Sequence, residues 1–326
     1  MKFASALLAV TLAAAFAAPS QAAEFPSRPV TLLIPAEAGG PTDTLARVLA
    51  GPMGAALGQP VLVEIASGAA GAIAAQRVAE AAPDGHTALL GHWGTHVLNP
   101  LVRRQPYDAV ADFAPVAMLA SNPQIIVSRA DVPARDLRAL VEWLRSKDPP
   151  ASIGHTGVGS GSHLSAVHFR EAAASPLLMV AYRGSAPALR DLLGGRIDLK
   201  FEQPSVALPL IREGRIRAYA VTSAERLAQA PAIPTTDEAG LPGFHVSFWY
   251  GLWAPRSTPE AAVARLQAAA VAALADPATR RRLADLGQEV APRNRQSPEG
   301  LRAWQRAEME KWRPIVRSAG IPGESR

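Results

Sequence analysis

The 326-residue chain contains no cysteine. Disulfides, thiolate metal sites, a cysteine nucleophile and a lipid-modified cysteine behind a leader are all excluded by that absence. No block of like charge occurs either: Lys+Arg number 33 against Asp+Glu 28, a formal net charge of +5. The densest basic run, Arg280-Arg281-Arg282, lies in a helical pattern with Asp276 and Asp285 close by. Aromatics make up only 6% of residues and do not interleave with a basic stripe, so no nucleic-acid partner is expected. Beyond the N-terminal segment, no apolar run approaches the ~20 residues a spanning helix needs. Two enzyme signatures are missing as well. In Gly157-Val158-Gly159-Ser160-Gly161 the last glycine comes one residue too early for a dinucleotide loop. Neither Ser160 nor Ser162 has glycine two residues before and after it, so there is no nucleophile elbow.

The N-terminus has the parts of an export leader. Lys2 supplies a positive start, an uncharged apolar stretch follows from Phe3 to about Ala18, and Ser20 and Ala22 place small residues where a signal peptidase reads. Residues 1–23 are therefore read as a cleaved signal peptide, cut after Ala22 or Ala23, and the mature chain is expected in the periplasm. With Lys2 removed, the net charge is near +4, which suits an anionic ligand. A mature chain of about 300 residues can bury a core large enough for one or two domains.

Short apolar strands alternate with amphipathic helices. Val30–Ile34, Val61–Ile65 and Thr87–Gly91 read as strands, with helices beginning near Thr42 and after the turn at Gly68–Gly71. The middle of the chain repeats the theme, with strands near 124–128, 151–154, 177–181, 197–201 and 217–222 and helices between them. This spacing predicts an α/β fold built on parallel sheet with helices on both faces. After Trp249-Tyr250-Gly251-Leu252-Trp253 only helical patterns remain. They are expected to pack back on the first sheet. The resulting division is domain 1 from 24–122 plus 249–326 and domain 2 from 123–248, with the chain crossing twice. Such a pair forms a cleft that can hinge shut on a ligand.

In open α/β sheets, ligands sit at the carboxyl ends of the strands. Three loops there are rich in Gly, Ser and Thr: 35–43, 92–96 and 154–163. Glycine lets backbone approach a ligand, and amides at a helix start favour an anion. His92 and His96 share the spacing of a helical metal pair, but Gly94 between them argues for a loop. His155, His163 and His168 are read as capping and packing groups rather than metal ligands. No cofactor or metal is expected. Trp249, Tyr250 and Trp253 are read as core near the crossover.

Taken in order, several motifs resemble the substrate-binding proteins of tripartite tricarboxylate transporters, the Bug family. They are Phe25-Pro26-Ser27-Arg28-Pro29-Val30-Thr31-Leu32, Gly39-Gly40-Pro41-Thr42-Asp43, Pro83-Asp84-Gly85-His86-Thr87, Asn99-Pro100, Gly159-Ser160-Gly161-Ser162-His163-Leu164, Tyr182-Arg183-Gly184, Asp191–Asp198, Ala220-Val221-Thr222 and Pro234–Gly240. The resemblance covers nearly the whole mature chain. It implies a type II periplasmic binding protein, or Venus flytrap, with two doubly wound domains joined by two crossover strands. It also implies a monomeric receptor, not an enzyme, that captures a small carboxylate and delivers it to integral-membrane permease subunits. Carried over, Gly39, Gly40, Thr42, Asp43 and Thr95 would line the first-domain wall. Thr156, Gly157, Gly159, Ser160 and His163 would face them from the second, and Tyr182 and Arg183 would close the rim.

Three departures bear on the ligand. Glu37 replaces an apolar or aromatic residue, His92-Trp93 replaces small hydroxyl residues, and Glu202 follows the strand after Asp198. Two carboxylates at the mouth would disfavour a plain di- or tricarboxylate. The expectation is a carboxylate that also bears an amine or ring nitrogen, or an aromatic carboxylate stacked on Trp93. Two other readings belong to different classes: a receptor presenting its solute to a sensor kinase, and a periplasmic enzyme using the histidines and Glu37.

Overall fold

The computed structural model describes residues 25–36 and 38–321. The leader 1–23 and Glu37 lie outside the described residues. The first sheet begins with β1 (Val30–Ile34), α1 (Pro41–Leu57), β2 (Val61–Ile65), α2 (Ala72–Ala79), β3 (Thr87–His92) and the short α3 (Asn99–Val102). It takes up β4 (Phe113–Pro123) before the chain leaves for the second sheet. There the elements are β5 (Ile125–Arg129), α4 (Leu137–Ser146), β6 (Ala151–His155), α5 (Gly161–Ala172), β7 (Leu177–Ala181), α6 (Ser185–Leu193), β8 (Leu199–Glu202), α7 (Pro204–Arg212) and β9 (Ile216–Val221). The chain returns through β10 (Ser247–Pro255) and ends in α8 (Glu260–Ala275), α9 (Pro277–Asp285), β11 (Glu289–Val290) and α10 (Pro298–Ser318).

The first sheet runs β11-β4-β10-β3-β1-β2 and the second β7-β6-β8-β5-β9. β1 pairs parallel with β2 and β3, and β6 parallel with β7 and β8. The carboxyl ends of β1, β2 and β3 therefore share one edge, and those of β6, β7 and β8 another. The α/β class follows from the alternation, but the sheets are mixed instead of parallel: β10 pairs antiparallel with β3 and β4, β11 with β4, and β5 with β8 and β9. The long β4 was not expected, because its burial runs almost unbroken on both faces and shows no period of two. The segment around Gly94 also differs from the expected loop. Gly94–Leu98 is a wide helical turn continuous with α3.

Only Gln124 separates β4 from β5, and the returning chain passes beside it. The Thr222 hydroxyl accepts the Gln124 N–H at 2.8 Å and lies 2.5 Å from the Val246 carbonyl. Both crossings are thereby stitched at one buried threonine.

One apolar cluster runs from the first sheet into the second. Trp93 packs edge-on to Trp312 of α10 at 4.8 Å between ring centroids, and Trp312 meets His168 of α5 at 5.8 Å. A Cβ on Gly161 would stand 2.5 Å from the Trp93 ring, so only glycine lets α5 start so close to the first lobe. Among the described residues no helix is long and apolar enough to cross a membrane.

Candidate functional site

A cleft of about 540 Å³ lies where the strand ends of the two sheets face each other. Its first wall comes from loops after β1, β2 and β3. Pro35 and Ala36 follow β1, Ser67 to Gly71 follow β2, and His92, Gly94, Asn99 and Arg103 follow β3. The opposite wall is the turn between β6 and α5, with Thr156, Val158, Gly159, Ser160 and Gly161. Among the described lining residues Arg103 is the one permanently charged side chain, and no Asp or Glu is present.

The second wall is a hydroxyl-and-amide turn. Ser160 caps α5 by accepting the His163 N–H at 3.2 Å. The Ser162 hydroxyl accepts the Thr156 N–H at 2.9 Å and lies 3.0 Å from the Thr156 hydroxyl. Two imidazoles brace the turn from behind. His155 Nδ1 accepts the Gly157 N–H at 3.3 Å, and His163 Nδ1 accepts the Gly159 N–H at 3.2 Å. Gly157 and Gly159 take φ of 111° and 77°, a region side chains disfavour. Burial, with His155 and Arg170 nearby, pushes His163 down to about 4, so it braces the turn as a neutral ring.

The first wall is strained. Gly68, Ala69, Ala70 and Gly71 take φ of 114°, 47°, 54° and 92° in succession. Two of these are not glycine, and such backbone collects at ligand clamps. A Cβ on Gly71 would meet Thr95 Cγ2 at 2.7 Å and Pro35 Cβ at 2.8 Å, so the loops after all three strands converge there. Burial pushes His92 down to about 4. His92 Nδ1 accepts the Thr95 N–H at 3.3 Å, so the neutral ring carries its proton on Nε2.

Of the residues expected at the site, Thr156, Gly159 and Ser160 line the cleft. Gly157 belongs to the same turn and His163 stands behind it. Gly39, Gly40, Thr42 and Asp43 sit at the start of α1, outside the lining. There Asp43 accepts the Gly39 N–H at 2.8 Å and pairs with Arg47 at 2.8 Å, contacts that hold its carboxyl below the usual range. Thr95 is buried and bonds the His92 carbonyl at 2.9 Å. Tyr182 turns toward Asp191 at 2.9 Å, and Arg183 is exposed outside the lining.

Two expectations need correction. Trp93 offers no stacking face, because the helical turn after β3 swings it inward, where it is 2% exposed. Glu202 adds no charge to the mouth. It is 3% exposed, Lys200 Nζ lies 2.5 Å from its carboxylate, and Ser185 donates to it at 3.3 Å. His92, in the candidate loop 92–96, does line the cleft, whereas Ser67, Gly71, Asn99 and Arg103 are lining groups that the sequence does not single out as such. The Gly68–Gly71 turn at a parallel strand's carboxyl end was a usable signal. Arg103 had none, since it follows a single helical turn with no periodic pattern.

The sequence model of the tripartite tricarboxylate transporter family receptor matches residues 45–321. The chain belongs to that family. It is 37% identical over 296 residues, 91% of this chain and 86% of the relative, to an Agrobacterium vitis protein described as a UPF0065 protein in the TAR-I ttuE-ttuC' intergenic region. Among solved structures it is similar to MatC from Rhodopseudomonas palustris with bound malate, at 40% identity and a TM-score of 0.75. That match covers 90% of this chain and 100% of MatC. It is also similar to R. palustris Rpa4515 with adipate, at 34% identity and a TM-score of 0.77, over 91% of this chain and 99% of that one. The fold of this receptor family member is thus that of a type II periplasmic binding protein.

Proposed function

We propose that this receptor works in the periplasm, where it captures a small carboxylate between two lobes and delivers it to the permease of a tripartite transporter. The lobes are taken as 24–122 plus 249–326 and 123–248, with the leader removed. One observation carries the reading: a cleft between two sheets, walled by amides and hydroxyls on one side and by a single guanidinium on the other, without a carboxylate among its described lining residues. Oxygen-rich anions are matched by such donors. The bound malate and adipate of the two relatives point the same way.

The geometry favours capture over turnover. His163 Nδ1 is engaged by the Gly159 N–H, and the Ser160 hydroxyl caps α5. This ring and hydroxyl thus brace backbone instead of forming a nucleophile–base pair, and the lining imidazole of His92 is likewise engaged on Nδ1 by the Thr95 N–H. Two of the three features that argued for an amine-bearing or aromatic ligand fall away, since Glu202 is neutralised by Lys200 and Trp93 is sealed in the core. A plain dicarboxylate becomes the preferred ligand. A ligand bridging both walls favours the closed form by its differential affinity.

The test is a thermal-shift screen of the mature chain after unfolding and refolding to strip bound solute. The panel is di- and tricarboxylates, amino acids and aromatic carboxylates. A ligand at 100 times its Kd adds about 2.7 kcal/mol and raises Tm by several degrees. No shift from any carboxylate overturns the reading.

A further inference from the structure

We propose that Arg103 is the residue that sets charge selectivity, so that this receptor discriminates solutes with a second anionic group from those with only one. The inference rests on the carboxylate reading above and goes beyond it to a specific residue.

Arg103 is held, yet its charge is not spent. Its Nη2 donates to Asn99 Oδ1 at 3.2 Å, and among the described residues it takes part in no ion pair. Asn99 is 6% exposed, and its Nδ2 donates to the Ala70 carbonyl at 2.9 Å. Reversing that amide would set donor against donor at Arg103 and acceptor against acceptor at Ala70, so both contacts fix one orientation. The Arg103 backbone is pinned too. Its N–H donates to the Asn99 carbonyl at 3.1 Å, and Gln105 Nε2 donates to the Asn99 carbonyl at 3.0 Å and to the Arg103 carbonyl at 3.1 Å.

A guanidinium offers five N–H donors in a rigid fork. A single neutral amide occupies one here, which leaves an edge for bidentate pairing with a carboxylate. The strained Gly68–Gly71 turn thereby acquires a role: it presents the Ala70 carbonyl that orients Asn99, and through it Arg103. The opposite wall is built from neutral donors and can hold one carboxylate without further charge. A second carboxylate would remain uncompensated inside the cleft unless it met Arg103, and burying an uncompensated charge is disfavoured. A monocarboxylate takes the neutral wall and gains nothing from Arg103.

The test is calorimetric titration of the stripped mature chain with length-matched pairs, adipate against hexanoate and succinate against butyrate. Wild type is expected to prefer each diacid. Arg103→Gln should weaken diacid binding about 10- to 100-fold, the range for losing a charged hydrogen-bond partner, and leave monoacid binding within about twofold. Arg103→Lys should fall between, because an ammonium keeps the charge but not the fork. Arg104→Gln, an exposed neighbour outside the lining, should behave as wild type. Unliganded Tm values of all variants should agree, since Arg103 is itself exposed. An Arg103→Gln chain that keeps the diacid preference overturns the proposal while leaving carboxylate capture intact. So does a wild type that binds both members of a pair equally. A wild type that binds neither class overturns the carboxylate reading and this one with it.

Discussion

Lys200 and Arg103 both carry positive charge near strand-end loops, under opposite conditions. Lys200 lies within β8, 4% exposed, with the Glu202 carboxylate at 2.5 Å and the Ser185 hydroxyl at 2.8 Å. Its charge is consumed inside its own lobe. Arg103 is exposed, lines the cleft, and has the neutral Asn99 amide as its side-chain partner. A buried, mutually satisfied pair serves the fold, and removing one member leaves a costly orphan. An exposed charge held by a neutral group adds little to the fold and stays available to a solute. The difference teaches that proximity of a charged residue to a cleft says less than what already answers its charge.

The largest expected effect separates the two sites on stability. Glu202→Gln leaves Lys200 buried without its counter-charge and should cost about 3–5 kcal/mol. Arg103→Gln should stay within about 0.5 kcal/mol. Urea denaturation of both variants measures the contrast, and equal losses would break it.

Acid comes next, because it acts on sealed groups. Burial pushes His92, His163 and His168 each down to about 4. These values lie below the ~6.5 of an unfolded histidine, so the unfolded chain takes up more protons as pH falls. Their contribution is complete above about 6.5 and is lost progressively toward about 4. Glu289, pushed up to about 7 by burial and by Glu225 nearby, works in the other direction. The folded chain binds its proton more readily, so it favours folding at lower pH. His96 and His155, also held down by burial, act with these three, and Glu308, raised by burial, acts with Glu289. The histidines outweigh the glutamates, and stability should fall by about 2 kcal/mol between pH 6.5 and 5.5. Denaturation midpoints across that range provide the check, and a flat or rising profile would contradict the burial of these rings.

The smallest effect concerns the neutral wall. Ser160→Ala removes the cap of α5 and should cost about 1 kcal/mol, with a loss of diacid and monoacid affinity alike. Arg103→Gln should weaken the diacid alone. Melting and titration of the two variants side by side would show whether each wall carries its own part of the ligand.

Much of this was legible in the sequence. Strand–helix alternation predicted the α/β class, and the ordered motifs predicted the family. The turn at Thr156–Ser160 was legible because serine, threonine and glycine at a helix start have a direct physical use. β4 was not legible, since a strand buried on both faces loses its alternation. The roles of Trp93 and Glu202 were not legible for a related reason. Their neighbours Trp312 and Gly161 lie far away in sequence, and Lys200 sits on the same strand as Glu202 without any motif to announce the pairing. Arg103 depends on Asn99 and the strained Ala70 carbonyl, a relation only the folded chain creates.

The most direct test of the account is a crystal structure of the mature chain with succinate or adipate. The account predicts one carboxylate against the Thr156–Gly161 turn and the other paired with Arg103, with Lys200 and Glu202 still bound to each other. A ligand seated without contact to both walls, or one that opens the Lys200–Glu202 pair, would contradict it.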